Sequence, residues 1–296
     1  MTELRWFVKK AARSGVALGV WGSGVGRADK LVAPGPRVRV LTYHRFGHEP
    51  REPFCVTPED FELQMAWLAG EGLAVSQEDV LEFVRGRRAL PDGGVLVTID
   101  DGCISTLEVA LPIMQKHRIP GVAFISTELV GRGYLGLPER YMTWDEIRQC
   151  ARAGLTIGSH SHAHRSLGQM PIAEAREQIA RSKRTLEQEL GRPVVSFAYP
   201  FGTHGDFTPE TERALADAGF EIAFNSQHGS IRAMPGEPEA LFSLPRIKVE
   251  GGEALWMFRL LAQGAMDPWR VVDRNLWRLQ RVRKEISAED DVAAAE

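Results

Sequence analysis

The chain has 296 residues, with 36 Lys or Arg against 39 Asp or Glu, 44% hydrophobic residues and 25% charged ones. These are ordinary globular values, and they exclude collagen-like, coiled-coil and disordered classes. The net charge of −3 argues against a general nucleic-acid binder, whose domain is usually strongly basic.

The charge is unevenly spread. Residues 1–39 hold eight cations and two acids, 8 − 2 = +6, and residues 269–285 hold six cations and two acids, 6 − 2 = +4. The N-terminal stretch from Arg5 to Arg13 is basic and is followed by SGVALGVWGSGVG, which is short, glycine-rich and without a clean small-x-small cleavage site. It is a weak secretory signal and falls short of the roughly 18 apolar residues that span a bilayer. Residues 1–37 are therefore expected to be a solvated extension, with a basic amphipathic segment on a membrane surface as the sharper reading. Both favour a cytoplasmic or peripheral membrane location.

From residue 38 onward, short β runs alternate with helical segments. VRVLTY (38–43) is β-branched and apolar. Thr57-Pro58 opens a helix with an inward stripe of Phe61, Met65 and Leu68, and Ser76 caps a second one. GVLVTI (94–99) is the strongest strand, and a helix over 104–117 and the strand GVAFIS (121–126) follow it. Thr143 to Glu146 reads as a capping box for a helix ending at Arg152. Then come strand 155–159, a long helix marked by Ile172, Ala175, Ile179, Ser182 and Leu186, and strand 194–199. A helix from Thr208-Pro209 and strands 221–224 and 246–249 complete the set. Repeated β-then-α units imply a parallel sheet. Some seven strands without a dinucleotide glycine fingerprint favour a closed or distorted β/α barrel. The division expected is 1–37 as N-terminal extension, 38–250 as barrel and 251–296 as a basic amphipathic helical extension with an acidic tail. Cys55, Cys103 and Cys150 are odd in number and form no CxxC, so they are read as reduced and buried.

In β/α barrels the chemistry sits at the C-terminal ends of strands, and three such ends are unusual here. Strand 94–99 runs into Asp100-Asp101-Gly102, where two adjacent carboxylates raise each other's pKa unless a cation relieves them. Strand 155–159 runs into His160-Ser-His162-Ala-His164, with histidines at the spacing that lets a pair converge on one ion. Strand 194–199 ends in Tyr199-Pro200-Phe201-Gly202, a tight loop. One Asp with two His makes a three-donor set with open positions, the pattern of a catalytic metal site.

At these residues the sequence resembles the polysaccharide deacetylases of carbohydrate esterase family 4, in particular the poly-N-acetylglucosamine-deacetylase-like branch. Thr98-Ile-Asp-Asp-Gly102 is similar to the family's T-F-D-D-G motif, and His160 to His164 followed by Leu167 to its H-[ST]-x-x-H-x-x-L motif. Trp144-Asp145, the Tyr199 to Gly202 loop and Tyr43-His44 match weaker motifs. The resemblance spans residues 38–249. It implies a distorted (β/α)7 barrel, a divalent ion, most often zinc, and removal of N-acetyl groups from an amino-sugar glycan by metal-activated water. It also implies Asp100 as general base, Asp101, His160 and His164 as metal ligands, and His162 outside the ligand set. The loop from Tyr199 through Pro200, Phe201 and Gly202, with Trp144, would serve the substrate and the oxyanion, through a backbone N–H near Phe201.

Two departures stand out. The family's third motif often opens with an arginine that pairs with the base, and Ala198 stands there instead; Arg246 is the expected substitute. The late Leu-x-His motif that supplies the general acid has no clear match, which leaves His44, His204 and His228, with His44 preferred because it also follows a strand. The competing readings are a related metal-dependent amidase on peptidoglycan, an imide or a lipid-linked sugar, and a catalytically silent sugar-binding or scaffold protein.

Overall fold

The computed structural model describes residues 3–23, 35–49, 51–133 and 139–275. Its centre is a seven-stranded parallel sheet: β1 (Val38–Tyr43), β4 (Gly94–Ile99), β5 (Gly121–Ile125), β6 (Thr156–Ser159), β7 (Ser196–Ala198), β8 (Ile222–Phe224) and β9 (Ile247–Lys248). The order β8-β7-β6-β5-β4-β1-β9 carries the chain from one edge to the other. β9 pairs with β1 through Leu41 and Ile247. The residues just before it reach the opposite edge instead: Leu244 bridges Phe224 and the Arg246 amide donates to the Gln227 carbonyl. The last segment thus contacts both edges in turn, and the curled sheet is a distorted (β/α)7 barrel.

Strand parity decides what lies inside. Val40, Leu96, Val122, Phe124, Ala198 and Phe224 belong to one apolar cluster, while Leu41, Val97, Ala123, Ile157, Phe197 and Ala223, each one residue out of step, belong to the other. Successive side chains on a strand point to opposite faces, so the first set fills the barrel and the second meets the helices. Gly158 belongs to the inner set; a Cβ there would come within 2.4 Å of Phe124.

The helices form where the sequence signals place them. In α2 (Pro58–Glu71) the Thr57 hydroxyl accepts from the Asp60 amide, and α3 (Gln77–Val84) and α5 (Trp144–Arg152) start with reciprocal capping boxes at Ser76–Asp79 and Thr143–Glu146. α6 (Ile172–Leu190) buries Ala175, Ile179, Ser182 and Leu186 of the expected stripe but leaves Ile172 exposed at its first turn, and α7 (Pro209–Asp217) starts at Thr208. The helix expected over 104–117 is not uniform. A π-helical turn, Thr106–Ala110, precedes α4 (Leu111–His117), and the Leu111 amide donates to the Thr106 carbonyl. The wide turn accommodates Pro112, which has no N–H to continue a regular ladder. The short pairing of β2 (Arg45–Phe46) with β3 (Cys55–Val56) has no sequence signal, because two-residue strands carry no period.

One expectation is corrected. Part of the N-terminal stretch is a docked helix, α1 (Glu3–Ser23), not a solvated extension. Lys10 and Arg13 reach Glu250 and Glu253, whose side chains are 2% exposed, and Arg13 also donates to the Lys248 carbonyl at 2.6 Å. Buried carboxylates need cations, and α1 supplies two. α8 (Leu255–Ala262) packs against α1, and Arg39 of β1 ties the following turn through Asp267 and the Ala262 carbonyl. Residues 37 and 250 are therefore not packing boundaries. The basic C-terminal pattern beyond residue 275 lies outside the described residues. All three cysteines are buried and free, and no described helix is long and apolar enough to cross a membrane.

Candidate metal centre and active site

Parity also builds the site. Asp100 continues the inner set of β4 and His160 that of β6, so both side chains point into the barrel mouth. His44 follows β1 in the same way. Neighbouring strand ends lock the three together: the Asp100 amide donates to the Tyr43 carbonyl and the His160 amide to the Ile125 carbonyl, both at 2.9 Å. Asp101 should point away from its neighbour. It does not, because its φ of 73° turns the chain back. Six non-glycine residues among those described have positive φ, and Asp101, Ser161, His164 and Phe201 are four of them. Each costs roughly 1–3 kcal/mol, and here they aim functional groups at one point.

That point is a three-donor cluster. Asp101, His160 and His164 offer ligand atoms that all lie within 4.8 Å of one another. His164 Nε2 is 3.3 Å and His160 Nε2 3.6 Å from Asp101 Oδ1. Tetrahedral coordination at zinc distances sets donors roughly 3.4 Å apart. Oδ1 of Asp101 is buried without a hydrogen-bond donor, an uncompensated position that a cation would satisfy. His160 is held in the orientation of a ligand, with its Nδ1 2.8 Å from the Ala198 carbonyl. A carbonyl only accepts, so Nδ1 carries the proton and Nε2 presents its lone pair, the usual outer-shell arrangement of a ligating histidine. Burial pushes the His160 pKa down to about 4, keeping the ring neutral. Burial alone would raise Asp101; the close approach of His164, with His44 and His160 nearby, outweighs it, and the carboxyl stays well below its ordinary range. The loop is braced by Ser126, whose hydroxyl donates to the His160 carbonyl, and by Ser161, which accepts from the His164 amide. The residues present fit a divalent ion.

Asp100 stands beside this cluster on different supports. Arg246, with 0% side-chain exposure, donates to both its oxygens at 2.7 and 2.8 Å. Arg246 is itself held by the Asn225 carbonyl and Thr98 Oγ1, over the ring of Phe124. Burial would raise the Asp100 pKa, but the guanidinium brings it below the ordinary value, so the carboxylate is charged. Arg246 thus reaches Asp100 from the β9 side of the sheet, while position 198 in β7 is an alanine.

The remaining residues divide. His44 is half-buried beside the two carboxylates, with its Nδ1 buried and lacking a partner and its ring against Phe54; burial lowers its pKa although Asp101 and Asp100 pull it up. Phe201 is 39% exposed, and its ring meets that of His164 at 5.0 Å. Pro200 and Gly202 are buried in the same turn, where a Cβ on Gly202 would sit 2.6 Å from the Ser226 amide. Tyr199 is not brought to the site by its side chain. It belongs to the outward set, is 0% exposed, and gives its hydroxyl to the Phe242 carbonyl. Trp144, the first residue of α5, packs against the outer core. His162 turns to Thr127 and His228 to Asp273. Sequence reading missed the Ala198 carbonyl, which any residue supplies, and Phe54 and Asn225. Strand parity could have separated Tyr199 from the site beforehand.

Fold and cluster together define a (β/α)7-barrel protein with a metal-type donor set at its strand ends. The family profile named polysaccharide deacetylase matches residues 87–223. Poly-beta-1,6-N-acetyl-D-glucosamine N-deacetylase of Escherichia coli K12 is 25% identical over 272 residues, covering 74% of this chain and 38% of that protein. The enzyme of the same name from Staphylococcus aureus MRSA252 is 24% identical over 184 residues, covering 57% of this chain and 61% of that one. The chain therefore spans less than two thirds of either. Among solved structures, IcaB from Ammonifex degensii is 27% identical with a TM-score of 0.66, covering 78% of this chain and 97% of its own. The Streptococcus pyogenes deacetylase PplD, solved with acetate, shares the fold at 21% identity and the same TM-score, covering 78% and 99%.

Proposed function

We propose that this protein hydrolyses the N-acetyl groups of an amino-sugar glycan or glycoconjugate. The observation that carries the reading is the pairing of two separately supported groups at one barrel mouth: a three-donor cluster and, beside it, a charged Asp100 gripped by Arg246. Asp101, His160 and His164 would hold the divalent ion, and an Asp-His-His set suits zinc. Such an ion supplies Lewis-acid polarisation of the amide carbonyl and lowers the pKa of water.

The chain's own residues do the rest. Asp100 takes a proton from the attacking water, and Arg246 keeps its carboxylate oriented and ionised. The backbone of the Pro200-Phe201-Gly202 turn faces the developing oxyanion. His44 delivers a proton to the nitrogen as the C–N bond breaks, leaving acetate and a free amine. The exposed ring of Phe201 covers one side of the cluster and limits water around it.

Poly-β-1,6-N-acetylglucosamine is the first substrate to test, since two relatives carry that activity in their names. The experiment is acetate release from this polymer, chitooligosaccharides, peptidoglycan and lipid-linked N-acetyl sugars, by wild type and Asp100→Asn. Release from an N-acetylated glycan that falls at least about 100-fold in the variant supports the reading. An equally active variant overturns the mechanism. No release from any glycan, with no bound metal, supports the silent binding protein instead.

A further inference from the structure

A helix packed on a barrel normally turns its apolar side inward and its charged side to water. α1 does the opposite. Its inner side carries Lys10 and Arg13, spent on Glu250 and Glu253, along with Ala17 at 0% exposure and Trp6, which lies against Gly252. Its outer side shows Phe7, Val8, Leu18 and Trp21, exposed by 60%, 60%, 50% and 62%. The positions between them on that side are alanines and glycines, also exposed. At 3.6 residues per turn these positions form one apolar face along a helix roughly 30 Å long. Trp256 of α8, the helix that packs against α1, is 45% exposed as well. A contiguous apolar face of this kind on a folded protein marks a contact surface.

We propose that this face docks on an anionic lipid bilayer, with α1 lying in the plane of the membrane surface. Charge chooses this occupant over a second copy. With Lys10, Arg13, Arg37 and Arg39 set aside as buried or paired within the fold, residues 1–39 still hold Arg5, Lys9, Arg27 and Lys30 against Glu3 and Asp29, 4 − 2 = +2, so a symmetric pair would bring two such segments together, whereas anionic headgroups attract them. Trp21 is a tryptophan on this surface, and its ring suits the headgroup boundary. The small residues between the large ones let a fluid surface close over the helix where a rigid partner would need matching knobs. The helix also fixes the orientation. Trp6 sits by the loop after β9, where Gly251 abuts the Cys55 carbonyl at the catalytic rim. Val20 and Trp21 line a cavity with Arg37 at the other end of the barrel. The docked barrel thus lies on its side, with its mouth opening along the membrane. Docking of this kind does not depend on the deacetylase activity.

The test is co-sedimentation of the full chain with phosphatidylglycerol-containing vesicles and with phosphatidylcholine vesicles, for wild type and Phe7→Glu/Leu18→Glu. Analytical ultracentrifugation without lipid runs alongside. Wild type is expected to partition onto the anionic vesicles at least about tenfold better than the variant, with an unchanged melting temperature, since both side chains face outward. If the double variant does not fold, Trp21→Gln reads the same surface with a smaller loss. Wild type left in the supernatant, equal partition of a folded variant, or equal binding to neutral vesicles overturns the proposal. So does a lipid-free dimer that the variant dissociates, which would assign the face to a second copy.

Discussion

Arg246 holds both oxygens of Asp100 at 2.7 and 2.8 Å in a pair whose side chains are 0% and 3% exposed. The two residues lie 146 positions apart in sequence, and the contact crosses the barrel interior. A fork-to-fork pair fixes direction as well as charge. Removing one partner would leave the other charged and buried. Arg246→Ala is expected to lower turnover at least about 100-fold and to destabilise the fold by about 3–5 kcal/mol. Arg246→Lys restores the charge but not the fork, and should recover stability more than kcat. Steady-state kinetics and urea unfolding of the two variants check this; unchanged turnover in Arg246→Ala would remove Arg246 from the mechanism.

The donor cluster predicts metal-dependent stability. A ligand that binds only the folded state raises the melting temperature with its concentration. Zn2+ should therefore raise the melting temperature of chelator-treated wild type and leave His160→Ala and Asp101→Ala nearly unmoved. Elemental analysis should find close to one ion per chain in wild type and much less in either variant. A wild type that retains no ion after dialysis against zinc would be decisive against the site.

The capping box of α5 gives a prediction far from the chemistry. Thr143 accepts from the Glu146 amide, and the Glu146 carboxylate accepts from the Thr143 amide and from Arg140. Thr143→Ala should cost about 1 kcal/mol. The Arg140 hydrogen bonds, with help from Thr143 and against partial burial, hold the Glu146 pKa down to about 2 from an ordinary 4.5. A carboxyl depressed on folding stabilises fully above its unfolded pKa and loses that contribution as pH falls toward its folded one. The stability gap between wild type and Glu146→Gln should therefore be open at pH 7 and narrow between about pH 4.5 and 2. Urea titrations at pH 7 and pH 3 measure it, and a gap that widens on acidification would contradict the pairing.

The docking of α1 through charge makes a last prediction. Arg13→Ala leaves Glu250 and Glu253, both 2% exposed, with a cation fewer, and should cost on the order of 3 kcal/mol. Replacing all three residues together with apolar ones of similar size should cost much less, because a buried charge is most expensive when it loses its partner. Thermal melts of the single and triple variants separate the two cases. Equal melting of Arg13→Ala and wild type would mean that α1 does not pair as described.

Much of the fold was legible because its signals are local. The seven sheet strands follow from β-branched runs, and most helices from capping residues and a 3.6-residue stripe. The misses share a cause. β2 and β3 are too short to show a period, and the π turn before Pro112 is a response to a missing N–H. α1 was read as solvated because its cations look like a water-facing side until the buried acids that take them are seen.

For the site, the sequence by itself determined the donor types and their clustering: two carboxylates after one strand, three histidines after another. Those are local facts about what the chain carries. Only the tertiary structure decided which of them meet. Parallel register set Asp100 beside His44 and His160, a positive φ at Asp101 turned its side chain back to the same mouth, and the Ala198 carbonyl fixed the tautomer of His160. Curling of the sheet brought Arg246 across to Asp100. Backbone conformation, carbonyl direction and sheet closure are set by cooperative packing across the whole barrel, so no single stretch of sequence encodes them.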